Sequence, residues 1–203
     1  MAQTSLEEHC QALGWQDLLR LYARLLREAP EHLDLASRSI RNKARAGEFP
    51  DESIPAISAC LMSAENNSVI VELAKALAAF GSKAEVAAPV LIHKMQEMVI
   101  SDDADFWAFD GCLHALGYIG SESDLEVIDE FEEKPPVTRA GDLYKGAMSE
   151  EDRINLFDVS IDTVTERLEA EDAGAWTGRV TEMVSEQEAV SDSNVPAWRA
   201  GML

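Results

Sequence analysis

The stretch that decides the fold is residues 112–121, which read Cys112-Leu113-His114-Ala115-Leu116-Gly117-Tyr118-Ile119-Gly120-Ser121. A similar stretch lies 39 residues earlier and reads Leu73-Ala74-Lys75-Ala76-Leu77-Ala78-Ala79-Phe80-Gly81-Ser82. In both, small and apolar residues at helical spacing lead to a glycine, which favours a helix end, and then to a serine that can start another helix. Each copy therefore predicts a helix, a tight turn and a second helix.

The residues after each turn predict where the second helices begin. Two capping boxes follow the glycines, Ser82-Lys83-Ala84-Glu85 and Ser123-Asp124-Leu125-Glu126. A weaker earlier copy covers about residues 33–62, where Gly47 and Pro55 match Gly81 and Pro89 at an offset of 34 residues. One such unit cannot bury its apolar face alone, so copies at this spacing predict hairpins stacked side by side.

The segment from Ala115 to Gly120 resembles the end of the first helix in HEAT repeats, and residues 76–81 fit that pattern with Ala78 in place of its first glycine. The resemblance covers about residues 33–134. It implies an all-α fold, a short right-handed superhelix of antiparallel helical hairpins (a HEAT-like α-solenoid) with additional terminal helices. It also implies that the second helix of each hairpin lines the concave face, which would place these residues there: Lys94, Glu97, Glu126, Asp129, Glu130 and Glu133.

The N-terminal segment predicts helices that join this stack, so that residues 1–134 form one helical unit. The first helix is predicted to start at the capping box Ser5-Leu6-Glu7-Glu8 and to end at Gly14 in a left-handed conformation. The second runs to Pro30, with an apolar stripe of Leu18, Leu21, Tyr22, Leu25 and Leu26. Its arginines form a solvated face or a docking stripe: Arg20, Arg24 and Arg27. A third helix near residues 31–46 carries Arg38, Arg41 and Arg45 and stops at Gly47.

The rest of the chain, residues 135–203, predicts an acidic loop and C-terminal helices that pack on the stack or extend it. Pro135 and Pro136 end the preceding helix. A helix then opens near Ser149, with an apolar stripe of Ile154, Phe157, Ile161, Val164 and Leu168. A last helix covers about residues 175–189, and Trp198 in the polar tail either folds back or contacts another molecule.

The charge of the chain is its most unusual property. The 203 residues carry a formal net charge of −21, and residues 102–203 hold 25 acids against 7 bases. This charge argues against binding to nucleic acid or to an anionic membrane. It serves either solubility or the binding of a basic partner. Without an export signal or a membrane span in the sequence, we expect a cytoplasmic protein with its three cysteines reduced.

No pattern of side chains predicts chemistry. None of the four histidines lies in a motif that specifies zinc, and His93 and His114 are expected to be structural. The cysteines form no C-x-x-C pair, and neither a nucleophile elbow nor a phosphate-binding loop is present. The acidic run from Asp102 to Asp105 lacks the features of a calcium loop and is better explained as a capped helix start. We therefore expect no enzyme activity, no metal and no cofactor.

The remaining candidate is a protein-binding surface. It combines the acids around the predicted turn and on the last repeat helix with one aromatic residue: Asp102, Asp103, Asp105, Trp107, Glu126, Asp129, Glu130 and Glu133. Trp107 either anchors a partner or caps the stack. The first hypothesis is a non-catalytic binding protein, such as an inhibitor or immunity-type protein that neutralises a basic partner. The alternatives are an adaptor or assembly factor with an apolar interface and, less favoured, a HEAT-like lyase.

Overall fold

The computed structural model describes residues 2–133, 162–163 and 165–166, and the part of the chain so described contains helices and no strand. The all-α prediction is confirmed. The helices are α1 (Ala2–Ala12), α2 (Trp15–Glu28), α3 (Leu33–Arg45), α4 (Ile54–Met62), α5 (Asn67–Ala78), α6 (Ala88–Glu97), α7 (Asp103–Ile119) and α8 (Glu122–Glu133). Short 3-10 segments occupy Pro30–His32, Asp51–Ser53 and Gly81–Ala87.

The helices pack in two layers. One contains α3, α5 and α7, with α5 in contact with both of the others, and α1 packs on α3. The other contains α2, α4 and α6, which contact one another in that order and lie against α3, α5 and α7 respectively. Polar contacts join the first turns of helices in the first layer, because Ser68 Oγ donates to Asp34 Oδ1 at 2.9 Å and Asn67 Nδ2 donates to Asp105 Oδ1 at 2.8 Å. The three helices therefore run in the same direction.

The apolar stripe of α2 faces the core as predicted. Leu18, Leu21, Tyr22 and Leu25 are buried, and the Tyr22 hydroxyl donates to the Cys60 carbonyl at 3.4 Å. The arginines on the opposite side of α2, Arg20, Arg24 and Arg27, are all exposed. They form a solvated face, on which Arg20 pairs with Asp17 at 2.9 Å.

The repeat at an offset of 34 residues recurs in the backbone. Gly47 and Gly81 are the described residues with positive φ, at 70° and 57°. After each of them a 3-10 segment leads into the next helix, where Pro55 and Pro89 stand at the N-terminus of α4 and α6. Proline suits this position because its missing N–H has no partner in the first turn and its fixed φ matches the helix.

The repeat at an offset of 39 residues is less regular than its sequence suggests. Gly120 has φ −64° and ψ 160°, so it does not adopt the left-handed conformation of its match, Gly81. α8 starts only two residues after it, whereas α6 follows a longer 3-10 connection. The match therefore describes the helices α5 and α7 and not the turns that end them.

Four predicted helix ends are wrong. α1 begins at Ala2, so Ser5 lies inside the helix, and Gly14 has φ −67° where a left-handed residue was expected. Ser82 lies in a 3-10 segment, because the helix that it was expected to cap begins at Ala88 with a proline in its first turn. The cap of α8 is Ser121 and not Ser123, since Asp124 Oδ2 accepts from the Ser121 N–H at 2.7 Å and from its hydroxyl at 3.0 Å.

Gly47 offers a direct test of the left-handed turn. A Cβ at this position meets no atom within 4 Å, so only the backbone conformation at φ 70° opposes a side chain. We expect Gly47→Ala to lower the free energy of unfolding by about 1–2 kcal/mol, because alanine pays the cost of the left-handed region. Urea denaturation measures the change. Gly14→Ala is the control, since Gly14 is equally open at φ −67° and its variant should lose less stability than Gly47→Ala, namely only what alanine costs at the N-cap of α2. An equal loss in both variants would contradict this reading of the turn.

The predictions for the C-terminal part fall almost entirely outside the described residues. These are the loop after Pro136, the stripe from Ile154 to Leu168, the helix over residues 175–189 and the tail with Trp198. The four described residues of this part are helical, as the predicted helix from Ser149 requires; Thr163 is buried, and Asp162, Thr165 and Glu166 are exposed. In the described part of the chain, no helix combines the length and the apolar character needed to cross a bilayer.

Candidate functional site

The acidic run before α7 is a helix cap, as predicted. Asp102 is the N-cap residue, and its carboxylate accepts from the Asp105 N–H at 2.9 Å. Asp105 accepts in turn from the Ser101 N–H at 2.8 Å and the Ser101 hydroxyl at 2.5 Å, in addition to its bond from Asn67. The two carboxylates satisfy backbone donors that the first turn of a helix leaves open and favour the positive end of the helix dipole.

The Asp105 carboxylate therefore has a structural role, because its oxygens accept hydrogen bonds from Ser101 and Asn67. Partial burial acts to raise its pKa, but the hydrogen bonds from Ser101 and Asn67 outweigh burial and the pKa is lowered overall. Of the other predicted acids here, Asp102 is exposed while it caps the helix, and Asp103 is the first residue of α7. Asp102 thus caps the helix while its carboxylate stays exposed.

The aromatic residues of α7 divide between the core and the surface. Phe106 and Phe109 are buried, while Trp107 is half-buried, with its ring edge-to-face on Phe106 at a centroid distance of 6.0 Å. Phe109 packs edge-to-face on Phe131 of α8 at 5.6 Å. This contact places the C-terminal half of α8 beside the first turns of α7. The two groups of predicted site residues, at the start of α7 and at the end of α8, thus lie at the same end of the hairpin.

The exposed acids of α8 have no ion-pair partner in the described part of the chain. Glu126 and Glu130 are exposed, and neither forms an ion pair with another described residue. The predicted residues Asp129 and Glu133 belong to the same helix. The sequence contains no lysine or arginine between Lys94 and Lys134, whereas residues 102–133 contain 11 acids. The hairpin of α7 and α8 therefore has no lysine or arginine of its own to offset its negative charge.

The structure adds two half-buried polar residues that the sequence analysis did not select, Asp110 and His114, one turn apart on α7. Burial raises the pKa of Asp110 to about 6, against an opposing effect of Lys75. Burial also lowers the pKa of His114 to about 4, and Lys75 adds to this shift. At neutral pH the carboxylate is therefore charged and the imidazole is neutral. The His114 ring lies edge-to-face on Tyr118 at 5.1 Å.

Neighbouring helices α3 and α5 share a further half-buried ion pair. Arg41 Nη1 lies 2.9 Å from Glu72 Oε2, and their side chains are 19% and 15% exposed. Burial raises the pKa of Glu72 although Arg41 and Lys75 act to lower it. The pair links two helices of one layer and accounts for Arg41, which the sequence placed on an arginine stripe. Arg38 of that stripe is exposed and pairs with Asp34 within α3 at 2.7 Å.

One expectation about histidine needs correction. His93 is not a structural residue, because it is exposed and its Nε2 lies 3.3 Å from Glu97 Oε1. An acid also stands four residues from His114, namely Asp110, so two histidines have an acid one turn away. The spacing of Asp110 and His114 was visible in the sequence, but an aspartate and a histidine alone do not specify zinc. Among the residues that the structure describes, no group of three potential ligands could hold a metal ion.

The cysteines are buried free thiols. Burial raises the pKa of Cys60 and of Cys112 to about 12 and also raises that of Cys10. A thiol with a raised pKa is a poor nucleophile at neutral pH, since the thiolate is the reactive form. His9 is exposed while Cys10 is fully buried, so these neighbours cannot act as a catalytic pair.

Comparison of the chain with protein-family models, with curated proteins and with solved structures finds no match. The resemblance to HEAT repeats therefore depends on the internal repetition of this chain. The feature of this chain that bears most on function is the charge of α7 and α8.

Proposed function

We propose that this chain is a non-catalytic protein-binding protein that holds a basic partner through the acidic face of α7 and α8. The observation that carries the proposal is the stretch without lysine or arginine between Lys94 and Lys134, in which Glu126 and Glu130 are exposed without a paired cation among the described residues. Such a surface accelerates association with a basic protein and favours it over other partners. An inhibitor or immunity-type protein that covers a basic site is the kind of function that this surface suits.

In the first half of the chain, acidic and basic residues are nearly equal in number. Residues 1–101 hold 13 acids and 10 bases, and five of these acids lie within ion-pair distance of a lysine or arginine: Asp17–Arg20, Asp34–Arg38, Glu48–Lys43, Asp51–Lys83 and Glu72–Arg41. An acidic surface that served only solubility would not need to be confined to one end of the molecule. This near balance contrasts with the absence of lysine and arginine from residues 102–133, and the contrast supports a binding role for the second half.

We further propose that the helices form a HEAT-like α-solenoid, in which α4, α6 and α8 line the concave face. The proposal is supported by the recurrent left-handed glycines Gly47 and Gly81, by the prolines at the start of α4 and α6, and by the two helix layers. In this arrangement Glu126 and Glu130 would lie on the surface that solenoids commonly use for binding.

An apolar interface receives less support from the described residues. The large apolar side chains that are exposed there are Met62, Val86 and Val99, which lie at the end of α4, in the segment before α6 and after α6. Single exposed apolar residues are normal on a soluble surface, whereas an interface requires a contiguous patch. We therefore propose the acidic face of α7 and α8, and not an apolar patch, as the binding surface.

Charge reversal tests the proposal. Tagged wild-type protein and the variant Glu126→Lys/Glu130→Lys are used to capture proteins from a lysate of the source cells, and the captured proteins are quantified by mass spectrometry. We expect the double variant to lose at least about tenfold of the partner recovered by wild type, because it replaces attraction by repulsion at two central positions. A lysine at position 130, in the second half of α8, also suits the helix dipole, so α8 itself should remain folded.

The matched control is Glu52→Lys/Glu65→Lys. These acids are exposed in the first half of the chain and have no ion pair with a described residue, so the variant carries the same change in net charge at another place. The proposal requires the control to recover the partner at nearly the wild-type level. Equal recovery by both double variants, whether high or low, would show that the acids of α8 are not the binding surface.

A further inference from the structure

The arginines of α2 form a ridge on the outer side of the molecule. Tyr22 and Leu25 face the core, and the exposed arginines lie on the opposite side of the helix: Arg20, Arg24 and Arg27. Residues three and four apart lie on one helix face, so the three side chains line up over about 10 Å. We call these residues the α2 ridge. Arg20 pairs with Asp17, whereas Arg24 and Arg27 form no ion pair with a described residue.

α8 carries a matching row of acids. Its exposed glutamates stand four residues apart, on the side of the helix opposite the buried Ile128: Glu122, Glu126 and Glu130. They span about 12 Å along the helix, which is nearly the length of the α2 ridge. We call these residues the α8 ridge. None of them forms an ion pair with a described residue.

The two ridges lie at opposite ends of the described helices. α2, α4 and α6 contact one another in that order, α6 contacts α7, and α8 packs on α7 through Phe131 and Phe109. The charge follows the same order, because residues 15–45 hold 7 bases and 4 acids, whereas residues 102–133 hold 11 acids and no lysine or arginine. One molecule therefore presents complementary charge at its two ends.

We propose that the α2 ridge of one molecule docks on the α8 ridge of a second copy of this chain. Arginines three and four residues apart on one helix can each meet a glutamate of a facing helix on which the acids repeat every four residues. Exposed ion pairs are individually weak, so a row of three gives a reversible contact and not a permanent dimer. Because the contact joins two different surfaces, every assembly keeps one free ridge at each end and can grow further.

The net charge of −21 opposes this association at long range. At a salt concentration of about 0.15 M, charges are screened beyond about 8 Å, so acids remote from the contact repel the second copy only weakly. The two ridges lie within that distance when they touch. The head-to-tail arrangement also brings the acids of α8 against the segment in which bases outnumber acids, residues 15–45, whereas a symmetric arrangement through α8 would set acid against acid.

The inference rests on the proposed function only in using the same acidic face, and it gives α2 a role that the proposed function leaves open. A second copy on the α8 ridge competes with a basic partner, so the concentration of the chain regulates how much of the acidic face is free. The α2 ridge takes no part in holding the basic partner. Arg24→Glu/Arg27→Glu should therefore capture that partner as wild type does, so the two proposals fail separately.

Sedimentation velocity of the full chain in about 0.15 M sodium chloride measures the association. We expect the mean mass of wild type to rise at least about 25% above that of the monomer at a protein concentration of about 0.5 mM. Arg24→Glu/Arg27→Glu and Glu126→Lys/Glu130→Lys should each stay monomeric, because each replaces attraction by repulsion. An equimolar mixture of these two variants should recover the rise, since the intact α8 ridge of the first then meets the intact α2 ridge of the second.

The controls are Arg38→Glu/Lys83→Glu and Glu52→Lys/Glu65→Lys, which make the same charge changes at exposed residues away from both ridges and should associate as wild type does. Circular dichroism verifies that every variant is folded. The proposal is overturned if wild type stays monomeric at about 0.5 mM, if either ridge variant associates as wild type does, or if the mixture stays monomeric. A control that loses association as fully as the ridge variants do would also overturn it.

Discussion

Asp110→Asn is expected to raise the free energy of unfolding by up to about 3 kcal/mol at about pH 7.5, since burial has raised the pKa of this carboxyl from 3.8 to about 6 and each pKa unit corresponds to about 1.4 kcal/mol. Above pH 6 the folded protein holds a charge in a half-buried place, whereas the unfolded chain holds the same charge in water. Asparagine has nearly the same shape and carries no charge. A stabilising substitution of an acid on a structured helix is an uncommon outcome.

The effect of Asp110 depends on pH with a defined sign. The pKa is higher in the folded state, so as pH falls through 6 the folded protein takes up the proton before the unfolded chain does. Protonation of Asp110 thus adds stability to wild type, and the advantage of Asp110→Asn should shrink by about 1.4 kcal/mol between pH 7.5 and pH 5. Urea denaturation followed by circular dichroism at several pH values measures this difference.

Glu65→Gln serves as the control for Asp110→Asn. It removes one charge from an exposed position, so its free energy of unfolding should stay within about 0.5 kcal/mol of wild type. If Asp110→Asn proved less stable than wild type at pH 7.5, the carboxylate would have a stabilising partner in the folded protein.

His114→Gln is expected to make the protein less sensitive to acid. The pKa of His114 is lowered by burial from 6.5 to about 4, so the unfolded chain takes up this proton at a higher pH than the folded protein does. Wild type therefore loses stability through His114 as pH falls below 6.5, by about 2 kcal/mol between pH 7.5 and pH 5. The glutamine variant should keep that part of its stability. Its cost at pH 7.5 is the contact with the Tyr118 ring, about 1 kcal/mol.

Asp110 and His114 have opposite effects on how the free energy of unfolding depends on pH, and this provides an internal check. In the double variant Asp110→Asn/His114→Gln the two effects oppose each other, so the pH dependence of unfolding should return to within about 0.6 kcal/mol of wild type over the same range. A wild-type pH dependence in the single variant His114→Gln would show that the histidine titrates as it does in water. In that case α7 would be less well packed around His114 than the structure has it.

The sequence predicted those features that one helix or one turn determines by itself. The α2 stripe follows from periodicity alone, and Gly47 and Gly81, which the sequence predicts as helix ends, adopt the positive φ that glycine tolerates. The Asp102 cap of α7 also depends on nearby residues alone. Each of these features depends on residues that are close together in the sequence.

The sequence was a poor guide where two nearby residues could each start a helix, and where the packing of neighbouring helices determines burial. Ser82 has the sequence of a helix cap, but Pro89 is an equally good first-turn residue, and the helix starts there after a 3-10 segment. Ser121 and Ser123 both suit the start of α8, and the position of Asp124 favours Ser121. Asp110 and His114 stand out only through burial, which depends on the helices packed around α7 and is not encoded in their own spacing.

The central claim is that charge holds the partner, and the salt dependence of the complex tests it most directly. The dissociation constant of the captured partner is measured with wild-type protein by surface plasmon resonance at about 0.05, 0.15 and 0.5 M sodium chloride. Exposed charges are screened within about 8 Å at 0.15 M and over shorter distances at higher salt. We predict that binding weakens at least about tenfold over this range and that the association rate carries most of the change. An affinity that stays the same or rises with salt would contradict the claim and indicate an apolar interface.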